Sequence, residues 1–329
     1  MDRPGRRRPG CGKRVVPAGA CCGMLPTVRG PAAASATPAL TFAVCSNRTE
    51  YVRARWKDNL SALGPADKLV VVLDLPHDPE VAELASELDG PSVQVVIARR
   101  NRGLSHCRNL VMDLADPAPV VFLDDDVRIH SAAVEYIRDR FREGANVVGS
   151  RLDPPAYLLP LPWYMTEGQL HLLGLHSGRA PVKTWGACMG IDTGFATRHG
   201  LRFAAALGRR GRGLESGDDT SFVAAMKAHG AIERIFDQPG VVHEVNIDRR
   251  SLRYLLRRAF WQGRSEVRRG QAAAGVAKEW TRYRRSSDAR RTFPLACLYL
   301  GATLTGVAVE QWSKVTGHIF PLSSEVDSE

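Results

Sequence analysis

With 329 residues, 44% hydrophobic and 24% charged, the chain can bury a core, and its composition is ordinary for a globular protein. Its seven cysteines form no CxxC pair and no Cys/His set with zinc spacing, which excludes a zinc module. The net charge of +10 is uneven: residues 1–38 carry about +6, residues 249–291 about +11, and the mildly acidic stretch 39–248 about −4.

Residues 1–38 are rich in Pro, Gly, Ala and Arg and show no periodicity. They lack the apolar centre of a signal peptide and read as a disordered leader. The odd cysteine count reads as free thiols in a reducing cytoplasm. Four apolar, β-prone runs follow: 40–48, 68–76, 93–103 and 119–126. Such continuous Val/Ile/Leu runs predict strands buried on both faces, as in a parallel sheet. Helical patterns lie between them at 49–63, 79–89, 104–115 and 131–142, so the fold class is α/β with a mainly parallel sheet flanked by helices.

In such sheets ligands gather at the carboxyl ends of the strands. Ser46–Arg48, Asp74, Asn101–Gly103 and Asp124–Asp126 all fall there. No GxGxxG follows the first strand and no GxxxxGK[ST] occurs, so the dinucleotide-binding and P-loop fingerprints are missing.

The triplet Asp124, Asp125 and Asp126 is costly to desolvate without a cation. On an extended backbone Asp124 and Asp126 would point one way and Asp125 the other. That arrangement suits a divalent ion, Mg²⁺ or Mn²⁺, shared with a diphosphate. The alternative is a solvated turn. Further on, "TWGACMGIDTGFATRHGLRF" (184–203) reads as a Gly-punctuated strand, a turn and a short helix. "ESGDDTSF" (215–222) reads as a helix start with Asp219 as its N-cap, or as a carboxylate poised as general base. His243 ends a short strand, and 249–270 is a basic helix with Leu252, Leu255, Leu256 and Phe260 on its apolar side. No nucleic-acid-binding module is evident. The run 293–309 holds 17 apolar or small residues, the short limit for a membrane span. It reads as a packed helix or as a peripheral membrane contact behind a basic stretch.

Taken in order, these segments resemble a family 2 glycosyltransferase of GT-A fold over residues 40–270. "VCSNR", "VVLD", "NRGLSHCRN", "VVFLDDD", "GACMGIDTGFATRHGL", "SGDDTSF", "VVHEV" and "RRAFWQGRSE" carry the resemblance. Behind the leader (1–38), the chain divides into a catalytic domain (39–248) and a basic helical C-terminal extension (249–329). The resemblance implies a nucleotide-diphosphate-sugar donor, a UDP-sugar first, held by Ser46, Arg48, Asp74, Asn101, Gly103, Arg108, Asp124, Asp125, Arg258, Trp261 and Arg264. Asp124, Asp126 and His243 would hold the Mg²⁺ or Mn²⁺. Trp185 and Gly186 would face the acceptor, and Asp218 or Asp219 would be the base of an inverting transfer. Asp218 stands where the family usually has Glu, which leaves the choice of base open.

The implied acceptor is a small molecule or a lipid-linked sugar, in bacterial natural-product (antibiotic) or cell-envelope glycosylation. The expected location is cytoplasmic, with peripheral contact at the inner face of the membrane. A nucleotidyltransferase would carry a Gly-rich loop after the first strand, and "CSNRTEYVR" has no glycine. An inactive nucleotide-binding module would be expected to have lost one of Asp124, Asp126 or Asp219.

Overall fold

Alternation along three central strands sorts the core into two layers. β1 (Thr41–Ser46), β2 (Lys68–Leu73) and β4 (Val120–Leu123) are buried almost throughout, as their unbroken apolar runs require. Phe42, Val44, Leu69, Val71 and Leu73 point to one face. There they meet α1 (Thr49–Ala62), α2 (Glu80–Glu87) and α4 (Ser131–Arg142). Ala43, Val70, Val72 and Phe122 point to the other, against α3 (Leu104–Ala115). This is the computed structural model of the chain, and it describes residues 38–317 apart from 76, 77, 116, 179, 180, 212 and 285–288. The expected leader and Cys11, Cys21 and Cys22 lie outside the described residues.

The remaining elements are β3 (Val93–Ile97), β5 (Val127–Ile129), β6 (Val147–Ser150), β7 (Cys188–Ile191), α5 (Thr193–Arg198), α6 (Asp218–Ala228), β8 (Glu233–Phe236) and β9 (Val241–His243). Three helices follow: α7 (Leu252–Arg268), α8 (Ala272–Tyr283) and α9 (Ala289–Thr316). Seven strands form one sheet in the order β3-β2-β1-β4-β7-β6-β8. Its pairings are parallel except where β7 runs against β4 and β6. β3 is partly exposed because it is an edge strand. β5 and β9 pair separately, placing Val127 opposite His243 and so bringing the aspartate turn beside that histidine.

A third core joins the C-terminal helices to the 3₁₀ turns Ala156–Leu158 and Glu167–Leu173. Leu158, Leu170 and Leu173 pack with Leu255 and Ala259 of α7, Tyr283 of α8 and Tyr299 of α9. α7 and α9 cross at backbone contact. A Cβ on Gly263 would lie 1.9 Å from the Thr303 carbonyl oxygen, and one on Gly306 1.9 Å from that of Phe260. Buried Glu279 of α8 fastens this region, with His171 Nε2 at 2.6 Å and Arg282 at 2.5 Å.

Burial alone would raise the Glu279 pKa, but His171 and Arg282 hold it at about 2. A depressed carboxylate stabilises the fold above its ordinary pKa of 4.5, and that contribution fades as pH falls toward 2. Glu279→Gln should therefore cost about 3 kcal/mol near neutrality. The gap from the unsubstituted chain should narrow in urea unfolding repeated from about pH 6 down to about pH 3.

Candidate active site

The carboxyl ends of β1, β2 and β4 open into a cleft of about 480 Å³. Ser46, Arg48, Asp74, Asn101, Gly103, Arg108, Asp124, Asp125, Asp126, Trp185, Gly186, Asp218, Asp219, His243 and Arg258 all line it. Trp261 and Arg264 do not. Six positions along α7, Arg264 turns about 120° from Arg258 around the helix axis. Arg264 there meets Glu310 of α9 at 2.7 Å and lies over the Trp261 ring at 4.6 Å.

The three adjacent aspartates are separated by a turn. Asp124 accepts the Val127 N–H across it at 3.0 Å, so the backbone at 124–126 is not the extended one that alternation assumes. The outcome is still a division of partners. Asp125 turns to the end of β1 and the start of α1, where it accepts from the Ser46 hydroxyl and from Arg48. Asp126 takes His243 Nε2 at 3.0 Å and Arg249 at 2.9 Å. Asp124 remains partly open to the cleft.

Each charge is answered differently. Burial, with Asp126 beside it, pushes the Asp125 carboxyl up, against the pull of Arg48. Burial opposes ionisation of Asp126 too, but His243, Arg249 and Arg48 together hold it well below the usual carboxylate range. Burial disfavours a charged His243, and Asp126 outweighs it and raises the imidazole. One ligand atom each from Asp124, Asp126 and His243 lies within 4.8 Å of the others. Two carboxylate oxygens and an imidazole nitrogen are a donor set for a hard or borderline divalent ion. Nδ1 of His243, 3.2 Å from the Gly174 carbonyl oxygen, donates there and leaves Nε2 toward the aspartates.

Asp74 anchors a loop. Its carboxylate accepts the backbone N–H groups of Arg102 at 3.1 Å and Gly103 at 2.9 Å, and its own carbonyl accepts from Asn101 at 3.1 Å. The Gly103 φ of +87° is reachable at low cost only without a side chain.

Arg108 is the hub of the opposite wall. Its guanidinium donates to Asp218 at 2.8 Å, to the Gly186 carbonyl at 3.2 Å and to Asp124 at 3.4 Å. Burial disfavours its charge, and these carboxylates more than restore it. Gly186 has no room for a side chain, since a Cβ there would lie 2.4 Å from Arg108. Asp218 and Asp219 thus part company. Asp218 is buried against Arg108 and Ser105. Asp219 stays half-buried in the cleft, accepting from the Gly186 N–H at 2.7 Å and the Thr220 N–H at 2.6 Å. The helix cap is Gly217, at φ +102°, and not Asp219, which sits in the first turn.

The loop before α6 is held by one face of α7. Arg258 donates to the Leu214 carbonyl at 3.3 Å, Ser216 Oγ to Gln262 at 3.1 Å, and the Ser216 N–H to Ser265 Oγ at 3.1 Å. Among the described residues no carboxylate is within ion-pair distance of Arg258, and burial, with Arg209 nearby, lowers it to about 10. Arg249, Arg209 and Lys278 line the cleft as well. Sequence reading missed all three, because a run of arginines does not show which of them turn inward. A second cavity of about 270 Å³ adjoins the cleft at Trp185, whose ring stacks on His176 at 4.0 Å.

The two adjacent aspartates should separate in stability. Asp218→Asn removes the buried partner of Arg108 and should cost about 3 kcal/mol. Asp219→Asn should cost about 1 kcal/mol or less. Urea unfolding of the two variants reads the difference.

Residues 42–201 match the family model described as glycosyl transferase family 2. No curated protein matches the chain. Among solved structures, mannosyltransferase PcManGT from Pyrobaculum calidifontis, in complex with GDP-Man and Mn²⁺, is 16% identical, with 87% of this chain and 77% of that one covered and a TM-score of 0.52. S. aureus TarS 1-349 is 13% identical over 86% of this chain and 93% of that one, at a TM-score of 0.48. The likeness to PcManGT is one of fold.

Proposed function

We propose that this chain, a glycosyltransferase with its family 2 domain in residues 42–201, transfers a sugar from a nucleotide-diphosphate-sugar to an acceptor hydroxyl with inversion. One observation carries this reading. The cleft holds a cation-type donor set, Asp124, Asp126 and His243, together with a single carboxylate, Asp219, that is neither buried nor ion-paired.

The nucleoside would sit at the ends of β1 and β2, against Ser46, Arg48, Asp74, Asn101 and Gly103. Both Asp74 oxygens are held by backbone amides yet keep further acceptor capacity for a base N–H. The diphosphate would lie toward Asp124, Asp126 and His243, with Asp125 holding Arg48 in place. A bound Mg²⁺ or Mn²⁺ supplies positive charge to the departing diphosphate. Arg258, which lines the cleft from α7 and bonds the Leu214 carbonyl, would add to that charge.

Asp219 would remove the acceptor proton. Its two backbone hydrogen bonds fix the carboxylate while leaving lone pairs for the hydroxyl. Asp218 supports this chemistry by holding Arg108, which in turn holds Gly186 and Asp124. The acceptor, a small molecule or a lipid-linked sugar, would approach past Trp185, where the second cavity opens.

Isothermal titration with UDP, GDP and dTDP, each with Mn²⁺ or EDTA, tests the donor site. One nucleotide should bind in a metal-dependent way, and Asp126→Ala should remove that dependence. Asp219→Asn should keep this binding. With an acceptor in hand it should lower kcat by about 10²–10⁴-fold. Absence of binding by any of these nucleotides sinks the reading.

A further inference from the structure

Among the described residues the exposed large apolar side chains do not line the cleft. Among the described residues twelve large apolar side chains are exposed, and eight of them fall on α9 or on residues 157–163. On α9 they are Phe293, Leu298, Leu304, Trp312 and Val315, and Cys297, Gly301 and Ala308 are exposed between them. The spacing of three and four places them in one stripe along the helix. No residue from Thr292 to Val309 is charged, which makes the uncharged stretch about 27 Å long. On the loop 157–163, Tyr157, Leu159 and Trp163 are exposed as well, Trp163 to 73%. The Tyr299 hydroxyl ties this loop to α9 through the Tyr164 carbonyl at 2.9 Å.

Cations sit at the start of this stripe and on the neighbouring loop. Exposed Arg284 lies over the Trp280 ring, which packs edge-on against Phe293. Arg250 bonds the Tyr157 and Pro160 carbonyls of the loop. Glu310, the first carboxylate on α9, is buried against Arg264 and Arg268 and does not reach the stripe. Apolar side chains flanked by tryptophan and arginine match the boundary between acyl chains and anionic headgroups.

The Thr292–Thr316 segment is long and apolar enough to cross a bilayer. Its packing says otherwise. The face opposite the stripe meets α7 at backbone contact through Gly263 and Gly306, and Glu310 is locked into the same interface. A spanning helix would have to give up both. We propose that α9 lies flat on an anionic lipid bilayer, with its exposed stripe entering the headgroup layer.

The experiment is sedimentation of the full chain with vesicles of phosphatidylcholine alone, or of phosphatidylcholine and phosphatidylglycerol in equal parts. The chain should pellet with the anionic vesicles. Leu298→Glu combined with Leu304→Glu should weaken that partition by about tenfold or more. Both positions are exposed, so the thermal melt and nucleotide binding of this variant should match the unsubstituted chain. Arg250→Glu with Arg284→Glu should also weaken binding, and added salt should mimic it.

Failure to pellet with either vesicle overturns the proposal. So does binding that ignores lipid charge, or binding that the leucine variant retains. A dimer in sedimentation velocity that the leucine substitutions split, without vesicle binding, would assign the stripe to a second copy of this chain. Because nucleotide binding is measured separately, loss of the membrane contact and failure of the transferase reading give different results.

Discussion

A guanidinium buried in the cleft wall organises this molecule. Arg108 is buried on α3 and reaches three things at once: Asp218 at the start of α6, Asp124 at the end of β4, and the Gly186 carbonyl just before β7. Burying a charge is tolerable only when partners surround it, and each of these partners comes from a different part of the chain. Satisfying Arg108 therefore brings the two acidic ends of the cleft into register. It also explains why position 186 is glycine, since the guanidinium occupies the space of a side chain. Cys45 also lines the cleft here, and burial pushes its thiol up to about 12.

The second constraint is α7, which serves two neighbours with opposite faces. Arg258, Gln262 and Ser265 hold the loop that leads into Asp218 and Asp219. Arg264 and Gly263 face α9. The C-terminal helices are thus part of how the cleft keeps its shape, and they share a core with residues 158–175. Packing that fixes the loop before α6 also fixes the orientation of α9, and with it the apolar stripe that faces outward.

Much of this was legible beforehand, for identifiable reasons. The apolar runs at 40–48, 68–76 and 119–126 could be read as strands because a central parallel strand tolerates almost nothing polar until its carboxyl end. The polar residues at those ends could then be grouped, since parallel strands bring their ends to one edge. The structure brings Asp124 and Asp126 beside His243, but by a local geometry other than strand alternation. A hydrogen-bonded turn, not strand alternation, sends Asp125 one way and Asp126 the other. The basic helix was misread in part. Arg258 faces the cleft and Arg264 faces α9, a division that follows from where the helix docks.

The sequence by itself determined the α/β class, the edge of the sheet where the polar groups meet, and the residue types available there. Those follow from local rules, because burial of a strand and the exit of the chain at its end are short-range properties. Only the tertiary structure decided what each group does. Asp218 and Asp219 are adjacent and chemically identical. One is buried under Arg108 and the other opens to the cleft, because Arg108 arrives from 110 residues away. Arg249 joined the site in the same manner, 123 residues from the Asp126 it neutralises. Partners at such separations leave no periodic trace in a single chain, and burial by those partners is what sets each charge and its role.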